Sequence, residues 1–199
     1  MPIKILEAPE SPWGDYGDIA VQGMSAHLGR DSGGVLQLER SGTFVPPITF
    51  PGISDIVVTD EFKRRLESAD FARLAFRPVA KVHIVRLDWR TWDPEADPAD
   101  MPESGEPEDL ILARPHDETL ARAMGVLWDV VLPVDASVER VRRAQDGGNV
   151  EIVLRLASWT GADLFRAEGV GLIYASERAQ SWLASEVAEW IAFRDCLIA

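Results

Sequence analysis

Between Trp92 and Asp109 the chain reads WDPEADPADMPESGEPED, and this stretch limits the fold more than any other. Pro94, Pro98, Pro102 and Pro107 each remove a backbone donor and block helix, so no regular element can run through it. Asp93, Glu95, Asp97, Asp100, Glu103, Glu106, Glu108 and Asp109 supply eight negative charges with no basic residue among them. The segment is therefore a solvated loop, and the elements on either side must be built from residues 1–91 and 110–199. The net charge of the 199 residues is -13, and without these eight acids only -5 remains. Two readings stand side by side. The loop is an insertion that keeps the protein soluble, or it is a flexible anionic arm that steers or clamps a basic partner.

Twenty Lys and Arg against 33 Asp and Glu, with no basic stripe, argue against a phosphate backbone or an anionic lipid surface as partner. A hydrophobic fraction of 46% with 27% charged residues belongs to a chain that buries a core. Length favours one domain (1–199) or two lobes, 1–91 and 110–199, joined by the loop 92–109. No run of eighteen apolar residues occurs, and Met1–Ala8 lacks a signal-peptide core, so a soluble cytoplasmic protein without membrane contact is expected. The single cysteine, Cys196, excludes an internal disulfide and reads as a packed small hydrophobe.

Alternation and β-branched runs predict strands over 2–6, 19–22, 35–39, 55–58, 74–79, 81–87, 126–134 and 150–156. Residues 41–52 read as an extended connection packed through Phe44 and Phe50. Thr59 or Asp60 can cap a helix whose Phe62, Leu66 and Ala69 share one face. A short helix is expected over 116–124. Another is expected from Asp135 or Ser137 to Ala144, stopped by Gly147 and Gly148. The pattern as a whole is α+β, with a mixed or antiparallel sheet and a few short helices.

Residues 56–79 laid over 173–196 need no gap at a constant offset of 117. Ile56 meets Ile173, Leu66 meets Leu183, Ser68 meets Ser185, and Ala75-Phe76-Arg77 meets Ala192-Phe193-Arg194. Thr59 over Ser176 and Asp60 over Glu177 keep a helix cap followed by an acid, which suits the positive end of a helix dipole. About a quarter of the positions are identical, which predicts two strand-helix-strand units in pseudo-repeat.

Site chemistry is sparse. His27, His83 and His116 have no HxxxH or CxxC partners, so no metal site is expected, and no cofactor motif is present. The loop Gly29-Arg30-Asp31-Ser32-Gly33-Gly34 lacks the lysine and hydroxyl residue of a P-loop. His116-Asp117-Glu118 could place a base beside carboxylates, but behind Pro115 it reads better as the first turn of a helix. Trp89 and Trp92 flank the entry to the acidic loop, where a tryptophan pair is a candidate binding anchor as well as core.

The run PGISDIVVTDEFKRRLESADFARLAFRPV, with DLFRAEGVGLIYASERAQSWLASEVAEWIAFRD near the C-terminus, resembles immunity proteins of bacterial polymorphic-toxin systems. The shared features are a first strand, a Ser/Thr-acid helix start and an FxPV segment. The second unit is introduced by LFRxxG, here Leu164-Phe165-Arg166-Ala167-Glu168-Gly169. The resemblance covers residues 51–79 and the last third of the chain, and it implies a non-catalytic cytoplasmic binder of a cognate toxin, one that is basic if charge guides the pairing. On that reading Glu95, Asp97, Asp100, Glu103 and Glu106 steer the partner while Trp89 and Trp92 anchor it. The alternative is a small hydrolase or ligand-binding α+β protein using His116 and nearby carboxylates.

Overall fold

The computed structural model describes residues 3–142 and 150–199. In chain order the elements are β1 (Lys4–Glu7), α1 (Asp15–Gln22), β2 (Gln37–Ser41), β3 (Ile48–Gly52), β4 (Asp55–Thr59), α2 (Asp60–Ser68), β5 (Ala75–Pro78), β6 (Ala80–Val85), α3 (Asp109–Leu112), α4 (Glu118–Ala123) and β7 (Leu127–Val131). They continue with β8 (Val134–Arg142), β9 (Val150–Arg155), β10 (Leu164–Ala167), β11 (Ile173–Ala175), α5 (Glu177–Val187), β12 (Ala192–Asp195) and β13 (Leu197–Ile198). The class is α+β with mixed sheets and short helices, as the patterning predicts.

The chain divides into two compact units, each drawn from more than one stretch of sequence. One comprises Met1–Glu7, Leu66–Ala75 and Val131–Ala199, the other Ala8–Arg65 and Phe76–Val130. Residues 92–109 all lie inside the second, because β1 pairs with strands near the C-terminus whereas β7 pairs with β4.

In the first unit seven strands run in the order β12-β1-β11-β10-β8-β9-β13. β12 and β13 sit at opposite ends of this order but are separated only by Cys196. The segment 192–198 thus pairs with β1 through its first part and with β9 through its second, linking the two ends of the strand order. Ile3, Ile5, Leu154, Phe165 and Tyr174 fill its core, where Trp159, Phe165 and Tyr174 stack at centroid spacings of 6.0 and 5.4 Å. Burial pushes the Tyr174 hydroxyl up to about 12 and raises the Cys196 thiol. Cys196 packs on this core as a small hydrophobe, with its Sγ donating to the Ile3 carbonyl at 3.1 Å.

The second unit holds a four-stranded sheet, β3-β4-β7-β5, and the parallel pair β2-β6. Leu36, Leu38, Val57, Ile84 and Leu127 form one core; Met24, Val85, Leu87, Leu110 and Ile111 form another. Arg30, from the glycine-rich loop, donates to both carboxylate oxygens of fully buried Asp129, at 2.5 and 3.1 Å, and to Asp55 at 3.0 Å. The side chain of Arg40 is wholly buried. Its Nη2 donates to the Val21 carbonyl at 2.9 Å, Nε and Nη1 have no hydrogen-bond partner among the described residues, and burial lowers its pKa to about 10.

The two predicted strand-helix-strand units are present as β4-α2-β5 and β11-α5-β12. Their caps agree residue for residue: Thr59 Oγ1 accepts from Phe62 N at 3.3 Å, and Ser176 Oγ accepts from Ala179 N at 3.2 Å. Phe62 and Leu66 are buried on the inner face of α2, as their spacing predicts.

Local expectations fail in four places. Residues 19–22, expected as a strand, end helix α1, which places Asp15 and Asp18 at its positive end. The helix packs so closely on the preceding turn that a Cβ at Gly17 would lie 1.7 Å from the Pro12 carbonyl oxygen. The helix expected from Asp135 or Ser137 is instead strand β8, because residues 137–142 pair with β9 in an antiparallel ladder that outweighs the local cap signal. Ala144, Gly147, Gly148 and Pro2 lie outside the described residues. Residues 41–52, read as a plain connection, contain β3, and 126–134 breaks at Leu132-Pro133 into β7 and the start of β8.

Candidate partner-binding surface

Strand β6 ends at Val85, and buried Leu87 leads into a 3-10 turn, Trp89–Thr91. The Thr91 hydroxyl closes this turn by donating to the Asp88 carbonyl at 2.8 Å. The acidic loop that follows is irregular, as its prolines require, but it is not a free arm. Asp93 Oδ1 accepts from Glu95 N at 3.0 Å, Ser104 Oγ accepts from Glu106 N at 3.2 Å, and Gly105, at φ +79°, donates to the Pro102 carbonyl at 3.2 Å.

Three side chains from outside the loop tether it. Trp13 Nε1 donates to the Asp93 carbonyl at 3.2 Å, the Tyr16 hydroxyl donates to the Gly105 carbonyl at 2.8 Å, and the Arg114 guanidinium pairs with Asp100. Trp13 also meets the Trp92 ring edge-on, with centroids 5.2 Å apart. Tyr16 belongs to α1, so exposed Asp15 and Asp18 in the same turn extend the negative surface of the loop.

The structure divides the seven candidate residues among different roles. Glu95, Asp97, Glu103 and Glu106 are exposed and form no salt bridge among the described residues, which leaves their charge available to a partner. Asp100 is half-buried and neutralised by Arg114. Trp92 packs on the core of Met24, Val85, Leu87, Leu110 and Ile111, so its ring holds the loop to the fold. Trp89 is half-buried and edge-on to Phe44 at 5.9 Å. The Arg90 guanidinium lies over the Phe44 ring at 4.0 Å, and Phe44, Trp89, Arg90, Arg86 and Leu120 help line a cavity of about 240 Å³. Trp89 thus belongs to a side-chain-sized hollow at the entry to the loop.

Trp13, Tyr16, Phe44 and Arg114 carry this arrangement, and sequence reasoning assigned them no part in it. Trp13 and Tyr16 lie 80 and 89 residues from their partners, beyond the reach of any local pattern.

The histidines serve the fold. His116 Nδ1 accepts from Ile84 N at 3.0 Å, which puts the proton of the neutral ring on Nε2, facing Glu118 at 3.1 Å. Asp117 caps α4, accepting from Thr119 N and Leu120 N at 3.0 Å, and pairs with Arg86 at 2.8 Å. These backbone donors, Leu120 N foremost, hold its carboxyl below the usual range, with a further contribution from Arg86. His83 Nε2 donates to the Ile111 and Arg114 carbonyls at 3.2 and 2.8 Å. In the glycine-rich loop Asp31 Oδ1 accepts from Gly33 N and Val35 N, so those amides are already used. Among the described residues no group of three His, Cys, Asp or Glu is placed to hold a metal ion, and no helix is long and apolar enough to cross a membrane.

No protein-family model matches the chain, and no curated protein matches it.

Proposed function

We propose that this chain is an immunity protein that binds a cognate toxin domain in the cytoplasm and neutralises it without catalysis. The observation that carries this reading is the set of exposed carboxylates, Glu95, Asp97, Glu103 and Glu106, unpaired among the described residues and displayed on a loop tethered by Trp13, Tyr16 and Arg114. A tethered loop presents its charge in a defined arrangement and loses little conformational entropy on binding. Negative charge in that arrangement raises the encounter rate with a basic surface and repels acidic competitors. The hollow beside Trp89 offers a place for one side chain of the partner, and Arg90 on Phe44 forms its rim. The toxin as partner comes from the resemblance of residues 51–79 and the last third of the chain to immunity proteins.

The test is protection. Cells expressing the toxin domain encoded beside this chain should survive when the chain is co-expressed. Survival should fall when Glu95, Asp97, Glu103 and Glu106 are all replaced by Lys. Cell death despite abundant folded wild-type protein would refute the reading.

A further inference from the structure

The correspondence between residues 56–79 and 173–196 extends into the strand pairing around them. Hairpin β3-β4 corresponds to hairpin β10-β11, both antiparallel. α2 corresponds to α5, and the offset of 117 carries β5 (Ala75–Pro78) onto β12 (Ala192–Asp195) and the start of β6 at Ala80 onto the start of β13 at Leu197. Each of these last strands then pairs in parallel with a strand that precedes its hairpin, β6 with β2 and β13 with β9. In both copies one strand stands between the end of the hairpin and the strand after the helix. β7 lies between β4 and β5, β1 lies between β11 and β12, and each runs antiparallel to the hairpin strand beside it.

These inserted strands come from the wrong copies. β1 opens the first half of the chain but completes the sheet of the second, and β7 opens the second half but completes the sheet of the first. We infer that the chain is one module in two copies that have exchanged their opening strands. The slot between β11 and β12 is a binding site for β1, and the slot between β4 and β5 is a binding site for β7. An empty slot would leave β11 and β12 two strand spacings apart, roughly 10 Å, with their facing amides and carbonyls unpaired. It would also remove Ile3 and Ile5 from the core around Phe165 and Tyr174. The partner each half fits is therefore the other half, and the acidic loop joins the two covalently.

The exchange can be tested on the full chain by inserting a site-specific protease sequence between Ala96 and Asp97, which are exposed and outside the tethers, and cutting the folded protein. The two pieces should stay together as a 1:1 complex, with the β1 amides protected from hydrogen exchange as strongly as in the uncut chain. Lys4 faces Asp195 in register at the surface, so K4C/D195C in a Cys196→Ser background should, on oxidation, link the cut pieces into one species of full mass. Separation of the pieces into two folded species under native conditions would overturn the inference. So would loss of β1 protection in a cut protein that otherwise keeps its exchange pattern, a result that needs no cysteine substitution to read.

Discussion

Trp13 and Asp93 are eighty residues apart in sequence, and the indole N–H of the first donates to the backbone carbonyl of the second at 3.2 Å. With the edge-on contact of Trp13 on Trp92, this bond makes the proline-broken acidic stretch a fixed surface of the fold.

Trp13→Leu removes the bond and the ring contact together, a loss of about 1–2 kcal/mol. The effect concentrates in the loop. Cleavage after Glu95 and Glu103 by a glutamate-specific protease should accelerate several-fold while the secondary structure stays native. Unchanged cleavage would show that the tether does not hold the loop.

Asp117 supplies a pH-dependent part of the stability. Its folded pKa is depressed by the α4 amides and Arg86, so its contribution is complete above the unfolded value of about 3.9 and is lost as pH falls through the folded pKa. Asp117→Asn keeps a capping oxygen but cannot ionise, so its stability should change less between pH 7 and pH 3 than that of the wild type. Parallel denaturation curves for the two proteins at both pH values would contradict the assignment.

Arg30→Met leaves the Asp129 carboxylate buried without its bidentate partner. The cost should be about 2–3 kcal/mol, below that of a fully buried pair because the guanidinium is partly exposed. The double variant Arg30→Met/Asp129→Asn should recover part of that loss in urea denaturation. A double variant less stable than the single one would contradict this account.

Arg40 is the reverse case. Among the described residues its buried guanidinium makes one bond, to Val21, and leaves Nε and Nη1 without partners, so Arg40→Met exchanges one bond for the relief of two orphan donors. The variant should melt at or above the wild-type temperature. A fall of more than about 3 °C, or roughly 1 kcal/mol, would show that Arg40 stabilises the fold.

Local patterns in the chain hold much of this architecture. The Thr59 and Ser176 caps, the inner face of Phe62 and Leu66, and the break imposed by four prolines can each be read within a few residues, and the structure agrees. Pairing is where local reading stops. Ser137 looks like a cap until its strand meets β9, and Ile19 alternates like a strand residue until Pro12 and Gly17 pack α1 into a turn. Trp92 illustrates the same limit at the site. Its position beside the loop marks it first as core and then as an anchor, and its packing on the distant Trp13 and on the cluster around Val85 lies beyond local reading. The four exposed carboxylates were legible as charge, but their fixed presentation depends on side chains no local pattern connects to them.

The association rate between the chain and the toxin domain it is proposed to bind, measured across ionic strength, tests the central claim most directly. Wild type should associate fast at low salt and slow steeply as salt rises, whereas replacement of Glu95, Asp97, Glu103 and Glu106 by Lys should slow association at low salt and flatten or invert that dependence. Identical rates for the two proteins at every ionic strength would contradict a steering role for the loop.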